Sequence, residues 1–231
     1  MSFPLGIKAL TLVAALGAAA IAGALNPLRD TAASYQSVAI TLKSGTVIEA
    51  GRDEVTHALW MQCVAAKACE HEPRIAPPAG FYPVTDVNAL DIGQFIAWFN
   101  AETGSAWRLP TRTEAQAFAD LLPKEANKKL FTDPRMAWAA DYYLRKSWTR
   151  PVKTAGTFGT LENGLRDIGG NVWEWTSTCV AKGTGDNACP AYYVNGEHEA
   201  EIPVFLRDAI SGGCASGVPP TNLGFRLVRS Q

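Results

Sequence analysis

The segment LRDIGGNVWEWTSTC, residues 165–179, places a carboxylate between two indoles directly after a Gly-Gly-Asn sequence. In a β-strand, successive side chains point to opposite faces, so Glu174 lies opposite Trp173 and Trp175. An acid in this setting is either a metal ligand or an acceptor of hydrogen bonds from loop amides. The tryptophans are expected to pack in the core, because an indole buries a large apolar area.

The N-terminal segment, residues 1–24, predicts a secretory signal peptide. Lys8 precedes an apolar stretch from Ala9 to Ala22, and Ala22-Gly23-Ala24 has the small-x-small pattern of a cleavage site. We expect cleavage after Ala24, which leaves residues 25–231 as a single exported domain, periplasmic or secreted. The alternative is an uncleaved membrane anchor, because the stretch approaches the length of a weak membrane helix.

Export would place the five cysteines in an oxidising compartment, where disulfides are the usual fate of thiols. Cys63 and Cys69 lie close in the chain, and Cys179 and Cys189 bracket a polar loop, so we expect two local disulfides. Cys214 is then the odd thiol. It could be reactive, bridge to another molecule or be a small buried residue.

Composition and charge exclude several classes of function. The 231 residues carry a net charge of −1 and no basic run, so no nucleic-acid partner is expected. The three histidines, His57, His71 and His198, lack the His-x3-His or His-Glu-x2-His spacing of a zinc site. We therefore expect ordinary structural roles for them.

Capping signals indicate three helices. A hairpin is predicted around Ser44-Gly45, and helices are predicted after Thr56, after Asn88 and after the Thr-x-x-Glu box at 111–114. From about Pro123 onward only short apolar runs could form strands, and these runs are NVWEW, VFLRDAI and FRLV. The chain is therefore predicted to be an α+β domain, rich in loops, with a few helices and a small irregular sheet.

Four stretches, taken together, resemble the sulfatase-modifying-factor domain, typified by the formylglycine-generating enzymes. The resemblance covers the chain from about Val47 to Ser230 and implies a variant of the C-type lectin fold. The stretches are DEVTHALWMQC, PVTDVNALDIGQFIAWFNAETGSAWRLPTRTEAQAFA, GLRDIGGNVWEWTST and NLGFRLVRS.

This resemblance implies a calcium site. In the family, the segment that corresponds to Gly-Asn-Val-Trp-Glu-Trp holds a calcium ion. The implied ligands are the carbonyls of Gly169, Gly170 and Val172 and the carboxylate of Glu174, with Asn171 organising the turn. Such oxygen ligands are those that calcium prefers.

The same resemblance makes copper an improbable cofactor. Formylglycine-generating enzymes oxidise a substrate cysteine with oxygen, using Cu(I) held by two thiolates. Here, in GGCASGVPPTNLGFR, Cys214 takes a serine position, Gly217 falls where the first copper cysteine would be, and no second cysteine follows. One thiol cannot form a bis-thiolate site.

The sequence therefore favours a calcium-stabilised accessory or binding module, acting on another periplasmic protein. The alternative is an oxidoreductase of the formylglycine-generating type that acts on a protein cysteine, with Cys214 as the catalytic residue. A third interpretation is a lectin-like ligand binder. A membrane partner is expected only if the segment 1–24 is not cleaved.

Overall fold

The structure is a computed structural model that describes residues 34–74, 81–122, 151–181, 189–196, 199–208 and 222–231. The predicted signal peptide, His198 and Cys214 lie outside these ranges. In chain order the elements are β1 (Ser37–Thr41), β2 (Val47–Gly51), α1 (His57–Ala65), α2 (Ala89–Thr103), α3 (Arg112–Ala119), β3 (Trp173–Cys179), β4 (Ala191–Asn195), β5 (Glu199–Pro203), β6 (Leu223–Gly224) and β7 (Val228–Ser230). The predicted α+β class is confirmed.

The three helices begin at the predicted caps. The Thr56 side chain accepts from the N–H of Leu59 at 3.1 Å. Asn88 and Thr111 each form a capping box with an acidic residue three positions later. Gly104 ends α2 in the left-handed conformation, with a φ of 61°, which glycine adopts without steric cost.

The first sheet joins the two ends of the described chain. Its strand order is β1-β2-β7, and both pairings are antiparallel. The predicted hairpin is present, because β1 and β2 pair with Thr41 opposite Val47 and Gly45 occupies the turn at a φ of 84°. The end of the chain is thus held against its beginning.

The second sheet carries the acid of interest and has the strand order β5-β4-β3-β6. β3 pairs antiparallel with β4, where Glu174 faces Asn195, and parallel with β6, where Glu174 faces Gly224. Glu174 therefore lies on a central strand, and both flanking strands position it.

Two of the predicted strands differ in the structure. Residues 204–208 form a turn after β5, in which the N–H of Leu206 donates to the Pro203 carbonyl. The strand predicted over VFLRDAI is therefore wrong within the described residues. FRLV begins in the irregular connection between β6 and β7, and only Val228 belongs to a strand. Hydrophobic composition alone does not distinguish a strand from a buried connection.

Aromatic side chains form most of the larger core. Trp60 stacks on Phe95 with ring centroids 5.3 Å apart, and Phe225 packs edge-on against both rings. Trp175 is fully buried and its indole N–H donates to the Val87 carbonyl at 3.2 Å. Core packing of the β3 tryptophans is thus confirmed.

Both expected disulfides are present. Cys63 and Cys69 are bridged with a Cα–Cα distance of 5.3 Å, and Cys179 and Cys189 with a distance of 5.7 Å. The first bridge fastens the end of α1, and the second joins the end of β3 to the start of β4. Each closes a short loop, which corresponds to about 2 to 3 kcal/mol from chain entropy.

Candidate functional site

The turn before β3 is built around a buried aspartate. Asp167 has a φ of 59°, and its carboxylate accepts from the N–H groups of Gly156 at 2.5 Å and Phe158 at 2.8 Å. Its carbonyl accepts from the N–H of Gly170 at 2.9 Å, and Gly169 follows the left-handed path with a φ of 73°. One carboxylate therefore fixes both the turn and the loop that packs on it.

Asn171 ties this turn to a second segment. Its side-chain oxygen accepts from the N–H of Lys153 at 2.9 Å, and its amide donates to the Lys153 carbonyl at 2.9 Å. The side chain thus pairs with backbone in the way that a neighbouring strand would. These two bonds join the turn to the segment of Lys153 and commit the Asn171 amide to it.

Glu174 forms a buried ion pair with Arg226. The Nε of Arg226 lies 3.2 Å from both carboxylate oxygens, and Nη2 lies 2.8 Å from Oε1. Arg226 is fully buried, whereas Glu174 is 8% exposed. The Glu174 carboxylate is therefore paired with a guanidinium, and none of the hydrogen bonds found for it among the described residues comes from a loop amide. Sequence reasoning missed Arg226, although it lies in the quoted NLGFR stretch.

Arg226 also holds three backbone carbonyls. Its Nη1 donates to the carbonyls of Gly51 and Arg52 at 2.8 and 2.7 Å, and Nη2 donates to the Arg166 carbonyl at 2.8 Å. Although burial acts to lower the pKa of Arg226, the negative charge of Glu174 raises it above its ordinary value. The cation thus connects β2, the loop before the turn and β3.

Glu54 lies beside this pair without a hydrogen-bond partner. Both of its carboxylate oxygens are buried and have none among the described residues, and the nearest cationic atom, Nη2 of Arg226, is 4.0 Å away. Burial raises the pKa of Glu54 to about 8; Arg226 opposes this shift, and the charge of Glu174 adds to it. Glu54 is therefore largely protonated at neutral pH. Sequence reasoning also missed Glu54, although it is the second residue of the stretch DEVTHALWMQC.

A small cavity is bordered by Glu174 and by residues of the turn. Its volume is about 10 Å³, which is enough for one water molecule or one small ion. Both polar and apolar residues line the cavity, and they are Ala115, Phe118, Ile168, Gly169, Val172, Glu174 and Asn195. Three of the five predicted calcium residues therefore border one space.

The donor set decides which cation fits this space. No three carboxylate, imidazole or thiol side chains converge into a metal-binding group within the described ranges. A cation at this cavity would thus depend on one carboxylate and on backbone carbonyls, as calcium sites commonly do and zinc sites do not. Among cations, calcium suits these donors better than zinc, although the Glu174 carboxylate is already paired with Arg226.

The other predicted residues are Cys214 and the histidines. Cys214 is outside the described residues, and the segment that carries it rejoins them at Asn222, whose carbonyl accepts from the N–H of Trp173 at 2.9 Å. His57 begins α1, and His71 bonds through Nε2 to the Asp86 carbonyl at 2.7 Å. Neither histidine belongs to a group of three potential metal ligands within the described ranges.

Comparison with known proteins agrees with this architecture. The family model of the sulfatase-modifying factor enzyme 1-like domain matches residues 32–231. PvdO from Pseudomonas aeruginosa superposes with a TM-score of 0.53 at 15% identity, covering 85% of this chain and 92% of PvdO. CarF gives a TM-score of 0.49 at 18% identity, covering 80% and 87%.

No curated protein sequence matches the chain. At these identities the likeness to PvdO concerns the fold alone, and it agrees with the C-type-lectin-like arrangement that the sequence predicted. None of the helices in the described part of the chain has the length and hydropathy that a membrane crossing requires. Because the family match extends over most of its length, the chain belongs to the sulfatase-modifying factor enzyme 1-like domain family.

Proposed function

We propose that the protein is an exported accessory or binding module of this family, stabilised by calcium, and that its partner is another periplasmic protein. The observation that carries the proposal is the state of the cysteines. Four of the five are paired in the two disulfides, so Cys214 is the single thiol left for chemistry. Disulfides also favour an oxidising compartment.

Calcium would stabilise the turn before β3. The carbonyls of Gly169, Gly170 and Val172 and the carboxylate of Glu174 would hold the ion, while Asn171 keeps the turn in place. Bound there, the ion would add a second positive charge beside Glu174, which Arg226 already holds, and would coordinate backbone carbonyls of the turn. The small cavity beside Glu174 and the oxygen-rich donor set support this part of the proposal.

We expect calcium removal to lower the melting temperature of the protein. An ion that binds only the folded state at about 100 times its dissociation constant adds about 2.7 kcal/mol. Thermal melts should therefore differ between excess calcium and a chelator. In Glu174→Gln this difference should shrink, and in Glu162→Gln, which alters an exposed acid, it should persist.

The difference between the two melts is the informative quantity. Glu174→Gln also removes half of the pair with Arg226, so its absolute melting temperature falls for that reason too. Identical melting curves of the wild-type protein with chelator and with excess calcium would contradict the calcium site.

We expect no conversion of a sulfatase-type cysteine peptide to formylglycine by the purified protein, with or without added copper. A Cu(I) site of the bis-thiolate kind needs two thiolates, and Cys214 is one. The measurement is mass spectrometry of the peptide after aerobic incubation. Thiol titration of the folded protein, with one free thiol expected, controls for a missing disulfide.

The alternative, an oxidoreductase acting on a protein cysteine through Cys214, makes the opposite prediction. Aldehyde formation that is lost in Cys214→Ala would establish it and overturn the accessory module. Three titratable thiols would mean that one disulfide is absent, so a second thiolate could still complete a copper site.

A further inference from the structure

A cleft of about 490 Å³ lies between the β1–β2 turn, one face of α3 and the start of β5. This volume is within the range of small-molecule sites. An ion pair between Lys43 and Asp120, 2.7 Å long, borders the cleft on one side. A second pair, between Arg112 and Glu199 at 2.5 Å, borders it on the other. The lining does not include the turn before β3.

Arg112 is held in a fixed orientation at the wall of this cleft. Its guanidinium carbon lies 4.2 Å from the centroid of the Tyr193 ring, and its Nε donates to the Glu199 carboxylate. The two terminal nitrogens, Nη1 and Nη2, have no hydrogen-bond partner among the described residues. A planar guanidinium that is already oriented loses less entropy when it binds a carboxylate through these nitrogens.

The acids that line the cleft are each bonded to a cation or an amide, whereas its cations keep hydrogen-bond donors unused among the described residues. Asp120 accepts from Lys43 on one carboxylate oxygen and from Gln116 on the other, and Glu199 accepts from Arg112. Lys43 is 86% exposed, and its ammonium has two further hydrogens available. The charges of the lining balance and each acid already accepts from a cation, so the unused donors of Arg112 and Lys43 favour an anion.

The geometry points to a carboxylate-binding cleft for a small organic acid. The terminal nitrogens of Arg112 bind the carboxylate as a fork, and the Lys43 ammonium approaches it from the opposite wall. The apolar body of the ligand contacts Leu42 and Ala117, which also line the cleft. The pair between Lys43 and Asp120 opposes binding only weakly, because exposed ion pairs contribute about 0 to 1 kcal/mol.

Benzoate is a suitable probe, and benzamide is its neutral match. We expect benzoate, titrated at low salt to about 10 mM, to shift the backbone amide resonances of Thr113 and Ala117 saturably, with a dissociation constant of about 1 mM. Benzamide should cause no saturable shift. Added salt should weaken the binding of benzoate, because the contacts are charged and exposed.

Variants test the assignment of the two cations. Arg112→Gln should weaken benzoate binding about tenfold, which corresponds to loss of one charge-assisted contact. Lys43→Gln should weaken it to a smaller extent, and because this side chain is 86% exposed, the change should leave folding intact. Lys67→Gln, which alters an exposed lysine outside the cleft, should bind like the wild type.

Three outcomes would overturn the inference. They are the absence of saturable shifts with benzoate, equal shifts with benzamide, and unchanged affinity in both Arg112→Gln and Lys43→Gln. The test does not involve calcium, copper or Cys214, so its outcome is independent of the proposed function.

Discussion

Arg226→Met is expected to lower the free energy of unfolding by about 3 to 5 kcal/mol, because it leaves the buried Glu174 carboxylate without its partner. Three backbone carbonyls, those of Gly51, Arg52 and Arg166, also lose a donor. Methionine keeps a side chain of about the length of the aliphatic stem, so the loss is confined to the guanidinium and its contacts. Urea unfolding at neutral pH measures the loss.

Arg229→Met is the matched control for this change. Arg229 lies three positions later in the same stretch and pairs with Glu49 at 2.6 Å, but its side chain is 34% exposed. Its removal should cost about 1 kcal/mol or less, as is usual for exposed pairs. If Arg226→Met and Arg229→Met lowered the free energy of unfolding equally, burial of the pair between Arg226 and Glu174 would not increase its contribution to stability.

Glu54→Gln is expected to make the stability of the protein less dependent on pH. The pKa of Glu54 is raised from 4.5 to about 8 in the folded state, so the folded protein retains a proton that the unfolded chain releases. Stability contributed by this group is therefore complete below pH 4.5 and is lost progressively as pH rises toward 8. Glutamine cannot ionise and removes that loss.

The expected size of this effect is large. Between pH 5 and pH 8 the free energy of unfolding of the wild-type protein should fall by roughly 3 to 4 kcal/mol relative to that of Glu54→Gln. This follows because each unit of pH between the two pKa values of Glu54 changes that free energy by about 1.4 kcal/mol. Urea unfolding of both proteins at several pH values measures the difference.

Glu49→Gln is the control for the pH series. Hydrogen bonding to Arg229 holds the pKa of Glu49 below its ordinary value, so this group is ionised in both states above pH 5. Its replacement should shift stability by a constant amount across the range. If the free energies of unfolding of the wild type and of Glu54→Gln instead differed by a constant amount at every pH, the buried, protonated state of Glu54 would be contradicted.

The helices could be predicted because their signals are local. A cap such as Thr56 or Asn88 bonds to an N–H group two or three residues away, so the sequence window contains both partners. The two disulfides were accessible for a similar reason, since each closes a loop of at most ten residues. The strand predicted over 204–208 failed because a short apolar run has no such local partner.

The candidate site was predicted only in part. Glu174 and the glycine turn were identified from one continuous segment, together with the resemblance of that segment to a family. Its main partner, Arg226, lies 52 positions away, and Arg226 reaches the carbonyl of Gly51 across 175 positions. Hydrophobic periodicity predicts neither of these two contacts.

By itself, the sequence determined the class of the fold, the caps of three helices, the pairing of four cysteines and a family resemblance. These depend on contacts within a few residues or on motifs that are continuous in the chain. Only the tertiary structure decided that Glu174 is held by Arg226 and that Glu54 is buried beside this pair. The physical reason is that the charge state of a carboxyl depends on its desolvation and on the charges around it, and the packing of distant segments sets both.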